Sequence, residues 1–191
     1  DNNLKEPFDL TLITTPPFIH KELTESCLKR GDKFIFVEKP FGGHTNVSFN
    51  NKVNNVFIGY VLRFNPIVSW IKENIKSNDI IECKAKYLSN TIENKPKGWR
   101  NGPNSGVLNE MGSHVLDMTN FLFNIEDYEI NKSEVKSIIS DVDDEVKFSL
   151  SSNNRKFEYY FNWVDKTLRK PVFLVDLKLK NNNLISFDQQ K

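Results

Sequence analysis

Three short stretches of this sequence carry side chains able to do chemistry. The first is KFIFVEKPFGGH, residues 33–44, where the strand-like run Phe34-Ile35-Phe36-Val37 meets Glu38, Lys39 and Pro40. An amine serves proton transfer when burial or neighbouring cations bring its pKa toward neutrality, and a strand end fixed by a following proline can hold Lys39 in such a place. Glu38 either orients that amine, bonds a ligand hydroxyl, or simply neutralises it. A solvated lysine at a strand end is the plainer alternative.

The second stretch is NEMGSHVLD, residues 109–117. In a helix Glu110 and His114 share a face, and Asp117 lies three residues beyond His114. A carboxylate and an imidazole so placed suit metal ligation, an acid/base pair, or hydrogen bonding to a polyol; a lone helical histidine is also common as a structural residue. With 3 histidines in the chain, no HExxH and no cysteine cluster, no metal site is expected. Gly112 costs roughly 1 kcal/mol relative to Ala inside a helix, and marks the close approach of a ligand or a packed neighbour. The third stretch is GWRNG, residues 98–102. Trp99 and Arg100 offer a ring face and a guanidinium for a sugar or a phosphate, or else one aromatic anchor of a surface loop. Arg63, in LRFNP, follows a strand end; it could meet a cofactor phosphate or a substrate carboxylate, or form a salt bridge at a domain boundary.

These groups need elements to position them. Residues 8–14, FDLTLIT, read as a buried strand stopping at Thr15-Pro16-Pro17, and residues 17–30 as a helix ended by Gly31. With the strand at 33–37 they make a βαβ unit, hence a parallel sheet. Ligands bind beyond the carboxyl ends of such strands, where Thr14-Thr15-Pro16-Pro17 and Glu38-Lys39-Pro40 both lie. A third strand follows at 56–60, then a helix at 66–77 opened by Pro66, a strand at 80–88, a polar loop at 89–105 and a helix at about 107–123. Strands are expected at 134–141, 144–151, 156–164, 171–180 and 184–188, in an antiparallel sheet with one face covered. The pattern changes near residue 65, so residues 1–64 and 65–191 are expected to be separate domains.

Composition excludes several classes of partner. Hydrophobic residues make up 38% and charged residues 27%, with a formal net charge of +1, an ordinary globular balance without the clustered cations that nucleic acid requires. No apolar run approaches the ~20 residues of a membrane span, and DNNLKEPF is no signal peptide. Cys27 and Cys83 stand alone, as reduced thiols of a cytoplasmic protein do.

Taken in order, LITTPPFIH, FVEKPF, GYVLRFNP and GWRNGPNSGVLNEMGSHVLD, followed by a β-rich tail, resemble the Gfo/Idh/MocA family of NAD(P)-dependent sugar oxidoreductases, over about residues 8 to 180. The resemblance implies an α/β chain: the C-terminal part of a Rossmann domain with a parallel sheet, then an α+β domain with an open, largely antiparallel sheet that shapes the substrate site and carries a homo-oligomer interface. It implies that Lys39 contacts the reacting hydroxyl and the nicotinamide ribose, and that His114 is an acid/base or substrate-binding residue. Thr15, Pro16, His20, Glu38 and Pro40 match positions lining the nicotinamide end, with Arg63 as a further cofactor contact. Glu110 is the third catalytic candidate, and Trp99, Arg100, Asn109 and His114 are the substrate-binding candidates. The chemistry implied is hydride transfer between NAD or NADP and a secondary carbinol, a proton moving through His114 or Lys39.

The sequence departs from the family pattern in three ways. No GxGxxG occurs, so the pyrophosphate-cradling half would lie before Asp1. Glu110 stands where the family usually has aspartate, keeping the charge at longer reach. The stretch between Pro40 and the third strand is short for the expected helix, and the tail ends before the family's usual last elements. The leading expectation is an oxidoreductase, or part of one; the alternative is a catalytically silent sugar-binding or dimerising domain.

Overall fold

The computed structural model of the chain describes residues 5–41 and 53–188. The chain divides into two compact units, Asp1–Tyr60 and Val61–Lys191.

In the first unit β1 (Leu10–Ile13), β2 (Phe34–Val37) and β3 (Val56–Ile58) form a parallel sheet in that order. A 3-10 turn over Pro17–Ile19 and helix α1 (His20–Arg30) connect β1 to β2. Gly31 ends α1 at φ 89°, its N–H shared between the carbonyls of Cys27 and Leu28, a left-handed cap that glycine adopts without steric cost. Helix α1 covers one sheet face, where Cys27 packs with Ile13, Ile35 and Val37. Paired residues of neighbouring strands point to the same side, so Leu12, Phe36 and Phe57 turn to the opposite face.

Asp32 knots the amino-terminal end of this sheet. Its enclosed carboxylate accepts from the Phe8 N–H, the Thr11 hydroxyl and two nitrogens of Arg30. Those bonds, Arg30 foremost, hold it far below the usual carboxylate range. The short helix expected after Pro40 falls on residues 42–52, outside the described residues.

The second unit is built on six strands: β4 (Ile80–Leu88), β5 (Glu129–Lys136), β6 (Glu145–Ser152), β7 (Arg155–Asn162), β8 (Val172–Leu179) and β9 (Leu184–Asp188). Their order is β5-β6-β7-β4-β8-β9, and the β4–β7 pair alone is parallel among them. Because β4 slots between β7 and β8, the tail is a mixed sheet and not a simple meander. Helices α2 (Pro66–Asn74) and α3 (Ser113–Phe123) lie on one face. Helix α2 opens with Pro66 at its first position and Asn65 accepting from the Ile67 N–H, the expected cap chemistry. Val68 and Ile71 of α2, and Val115, Met118 and Leu122 of α3, are buried in one core with Phe157, Tyr159 and Phe161 of β7. The other face is a lattice of charge: Lys84 pairs with Glu82 and Glu158, Lys156 with Glu158, and Lys147 with Glu145.

The fold class is therefore as expected, α/β with a parallel part followed by a largely antiparallel open sheet. One strand is displaced. The strand expected at 134–141 lies at Glu129–Lys136, because the Asp144 carboxylate accepts the N–H groups of Ile138, Ile139 and Ser140 and so draws those residues out of the sheet.

Candidate active site

In the first unit the candidate residues gather at the carboxyl ends of β1 and β2. Glu38 follows β2 directly, its N–H donating to the Ile13 carbonyl of β1. The Lys39–Pro40 bond is cis, and Lys39 is half-buried. His20, the first residue of α1, is 0% exposed. Its Nδ1 lies 3.1 Å from the Pro40 carbonyl oxygen and its Nε2 2.6 Å from that of Thr15. His20 thus bridges the two polar turns, linking the backbone after β1 to the backbone beside Lys39. Gly59, just past β3, completes the wall: a Cβ there would come within 3.3 Å of Glu38 Oε2 and of the Phe36 ring. Thr15 Oγ1 is enclosed and makes no hydrogen bond among the described residues. Such an orphaned hydroxyl is rare unless a ligand or water completes it.

In the second unit the chemistry-bearing helix begins irregularly. Residues Leu108–Gly112 form a π-turn, with the Ser113 N–H donating to the Leu108 carbonyl, before regular α3 starts. Glu110 and His114 are therefore not related by the plain α-helical spacing expected from the sequence. Such turns occur often at functional sites. Two glycines permit it. At Gly106 (φ +114°) a Cβ would lie 2.0 Å from Asp143 Oδ1, and at Gly112 it would lie 2.9 Å from the Phe161 ring. Gly112 thus marks close packing of this turn on β7, one of the two readings the sequence allowed.

Glu110 accepts from the Ser105 hydroxyl at 2.7 Å and pairs with Arg100 Nε at 3.4 Å. Arg100 also lies over the Trp99 ring, 5.0 Å from its centroid. Trp99, Arg100 and Glu110 are therefore one cluster. Asn109 joins its edge, its amide reaching the Ser105 carbonyl at 3.4 Å and its own carbonyl accepting from the Ser113 hydroxyl. His114 is half-buried at the start of α3. Arg63 forks onto Asp117 with Nε 2.7 Å from Oδ2 and Nη2 on Oδ1, and its guanidinium lies over Phe121. Of the readings open for Arg63, a salt bridge is the one seen.

The sequence reading passed over a tetrapeptide that organises this cluster, Asp141-Val142-Asp143-Asp144. Asp141 exchanges two hydrogen bonds with Asn101, at 2.6 and 2.8 Å, and pairs with Lys95, which together tie down the loop bearing Trp99 and Arg100. Lys95 and then Asn101 hold its carboxyl below the usual range. Asp143 accepts the Val107 and Leu108 N–H groups through its carbonyl and carboxylate, capping the π-turn. Asp144 also accepts from the Ser140 hydroxyl and the Trp163 indole. Burial pushes its carboxyl up, but these hydrogen bonds, with that of Ile139 first, leave it below the ordinary value. An acidic run at a break between expected strands was the signal available. Among the described residues no group of three or more His, Cys, Asp or Glu could hold a metal, and no helix is long and apolar enough to cross a membrane.

No protein-family model matches the chain, and no curated protein matches it. Solved structures do. An oxidoreductase domain protein from Kribbella flavida aligns with TM-score 0.77 at 17% identity, covering 95% of this chain and 55% of its own. Levoglucosan dehydrogenase in complex with NADH and levoglucosan aligns with TM-score 0.77 at 20% identity, over 95% of this chain and 54% of its own. GenD2 from gentamicin A biosynthesis, in complex with NAD, aligns with TM-score 0.75 at 13% identity, over 98% and 55%. The chain thus spans about half the length of the structures it matches. The fold implied by the sequence resemblance is the fold these solved structures share with the chain.

Proposed function

We propose that the chain belongs to an NAD(P)-dependent oxidoreductase that moves hydride between its cofactor and a secondary hydroxyl of a sugar, polyol or sugar derivative. The observation that carries this reading is the Glu38-Lys39-Pro40 turn, braced through His20 to the end of β1 in a fold shared with levoglucosan dehydrogenase in complex with NADH and with GenD2 in complex with NAD. Parallel sheets receive ligands at that end. The unsatisfied Thr15 hydroxyl fits a nicotinamide there, which Thr15, Pro16, Glu38, Lys39 and Pro40 would hold. When bound, it supplies the hydride-accepting carbon.

The chain's own residues then bind, orient and move a proton. Lys39 is read as the amine that grips the reacting hydroxyl and can take its proton, and His114 as a second acid/base or substrate-binding group. His20, fully enclosed, acts through the turn it braces. Trp99 offers a ring face to a sugar, with Arg100 and Asn109 as polar contacts; Glu110 anchors Arg100 rather than serving as a third proton carrier. Arg63, engaged by Asp117, is read as a tie onto α3. The buried free thiols Cys27 and Cys83 suit the cytoplasm, and the six-stranded sheet is read as the place where copies of the chain meet.

The test is turnover of a panel of pyranoses and polyols, followed as reduced nicotinamide, with the protein carrying this sequence. Lys39→Ala should lower turnover by about 10²–10⁴-fold with the circular dichroism spectrum unchanged. Near-normal turnover in that variant removes Lys39 from the mechanism, and sugar binding without turnover in the parent protein rejects the oxidoreductase reading.

A further inference from the structure

The hairpin of β6 and β7 encloses a charge without a counter-charge. Asn153 and Asn154, both left-handed at φ 51° and 59°, make the tight link that asparagine suits, and they set Ser152 opposite Arg155 as the last pair of the ladder. Side chains two residues apart on a strand share a face. Ser152 and Arg155 therefore lie on the core side, next to the Leu150 and Phe157 pair. Arg155 is 8% exposed and Ser152 4%. The guanidinium lies over the rings of Phe123 and Phe157, 6.0 and 5.9 Å from their centroids. Among the described residues Arg155 has no ion pair, and its Nη1 and the Ser152 Oγ are both enclosed with no hydrogen bond.

A buried guanidinium is costly unless an anion and hydrogen bonds compensate it. The ring faces favour a cation, as does the carboxyl-terminal end of α3, which closes at Phe123. Neither gives Nη1 or the Ser152 hydroxyl a partner. Both residues line an open, polar cavity of about 700 Å³ at this end of the sheet, with Asp127, Glu129 and Lys156 also in its wall. None of the residues read above as cofactor or sugar contacts lines it. We propose that this cavity binds a small carboxylate, held by Arg155 and Ser152. A carboxylate is planar, takes two parallel N–H bonds from a guanidinium fork, and has lone pairs left for a hydroxyl. Charge selects it among oxyanions. Lys156 is tied to Glu158, which leaves Arg155 to carry the site, with Asp127 and Glu129 exposed at the rim. A single negative charge matches one guanidinium; a phosphate dianion brings a second one toward those two carboxylates. The inference is independent of the oxidoreductase reading.

The test needs no turnover. Backbone amide resonances of the purified chain are followed during titration with sodium acetate, which replaces sodium chloride so that ionic strength stays constant. Saturable shifts at residues 152–156 are expected, with a dissociation constant on the order of 1–10 mM for so small a ligand. Arg155→Met keeps the apolar stem and should weaken binding at least about tenfold. Ser152→Ala should weaken it roughly 3- to 10-fold, and it decides the matter if the circular dichroism spectrum shows that Arg155→Met disturbs the fold. Inorganic phosphate in its dianionic form should bind more weakly than acetate; tighter binding overturns the carboxylate in favour of a phosphate ligand. Shifts that stay linear in acetate, or that saturate alike in the parent and in a folded variant, overturn the site and leave Arg155 as a cation stacked on two rings.

Discussion

The first unit's sheet leaves Leu10, Leu12 and Phe57 at 57%, 62% and 49% exposure on one face, and beneath α1 it encloses Ile13, Cys27, Ile35 and Val37. The second unit instead gathers residues of both helices and of strands β4 and β6–β9 into one core, with Cys83, Val115, Met118 and Phe161 wholly enclosed. The contrast teaches where each unit's stability comes from. Burial stabilises the second in the ordinary way. The first, with so little apolar surface enclosed, depends on polar knots: Asp32 at one end of its strands and His20 at the other.

The largest effect should come from the turn that organises the second unit. Asp144 is 0% exposed and accepts from three backbone N–H groups, a hydroxyl and an indole. Asp144→Ala strands those donors and should cost on the order of 3–5 kcal/mol, read in guanidinium melts as a lowered transition of the second unit with that of the first unmoved. One shared transition, shifted as a whole, would erase the contrast between the units. Next comes Asp32→Ala, expected to cost about 2–3 kcal/mol in the first unit, since a charge-assisted node is lost. Its pH dependence has a definite sign. The folded carboxyl is held far below its unfolded value of about 3.9, so the stabilisation is complete above that value and is lost as pH falls through the lower range toward the folded one. Removing the carboxylate should therefore flatten the acid limb of the first unit's stability curve; an unchanged limb would detach Asp32 from it. The smallest effect sharpens the picture most. Leu12→Lys on the open face should alter stability by no more than about 0.5 kcal/mol, and a loss above ~1 kcal/mol in thermal melts would mean that this face is covered in the folded protein.

How much of this could be read from the residues alone follows the range of the interactions. Proline turns, Gly31 and the alternation of β4 are local signals, and the βαβ start and the span Ile80–Leu88 came out where expected. The Glu38-Lys39-Pro40 turn was legible for the same reason, as a strand end marked by proline. The brace on it was not, because His20 is 20 residues away and joins carbonyls, which leave no mark on residue type. The π-turn was equally hidden. It answers to Phe161 approaching Gly112 and to Asp143 capping Leu108, both contacts between distant segments. Strand β5 slid five residues for a nearer cause that periodicity also misses, since local β-propensity at 137–141 yields to the Asp144 carboxylate, which captures the N–H groups of Ile138, Ile139 and Ser140. Where a side chain captures backbone from afar, periodicity has nothing to report.

The parallel contact between β4 and β7 also sets a timetable. During synthesis β4 is complete at Leu88, but the two strands that flank it end at Asn162 and Leu179. At ~5–20 residues per second, β4 waits roughly 5 to 18 seconds for both neighbours. For that interval Ile80, Cys83 and Ala85, among the most enclosed residues of the finished protein, are open to other nascent chains and to oxidants. The centre of the larger sheet is thus sheltered only after most of the second unit has been made.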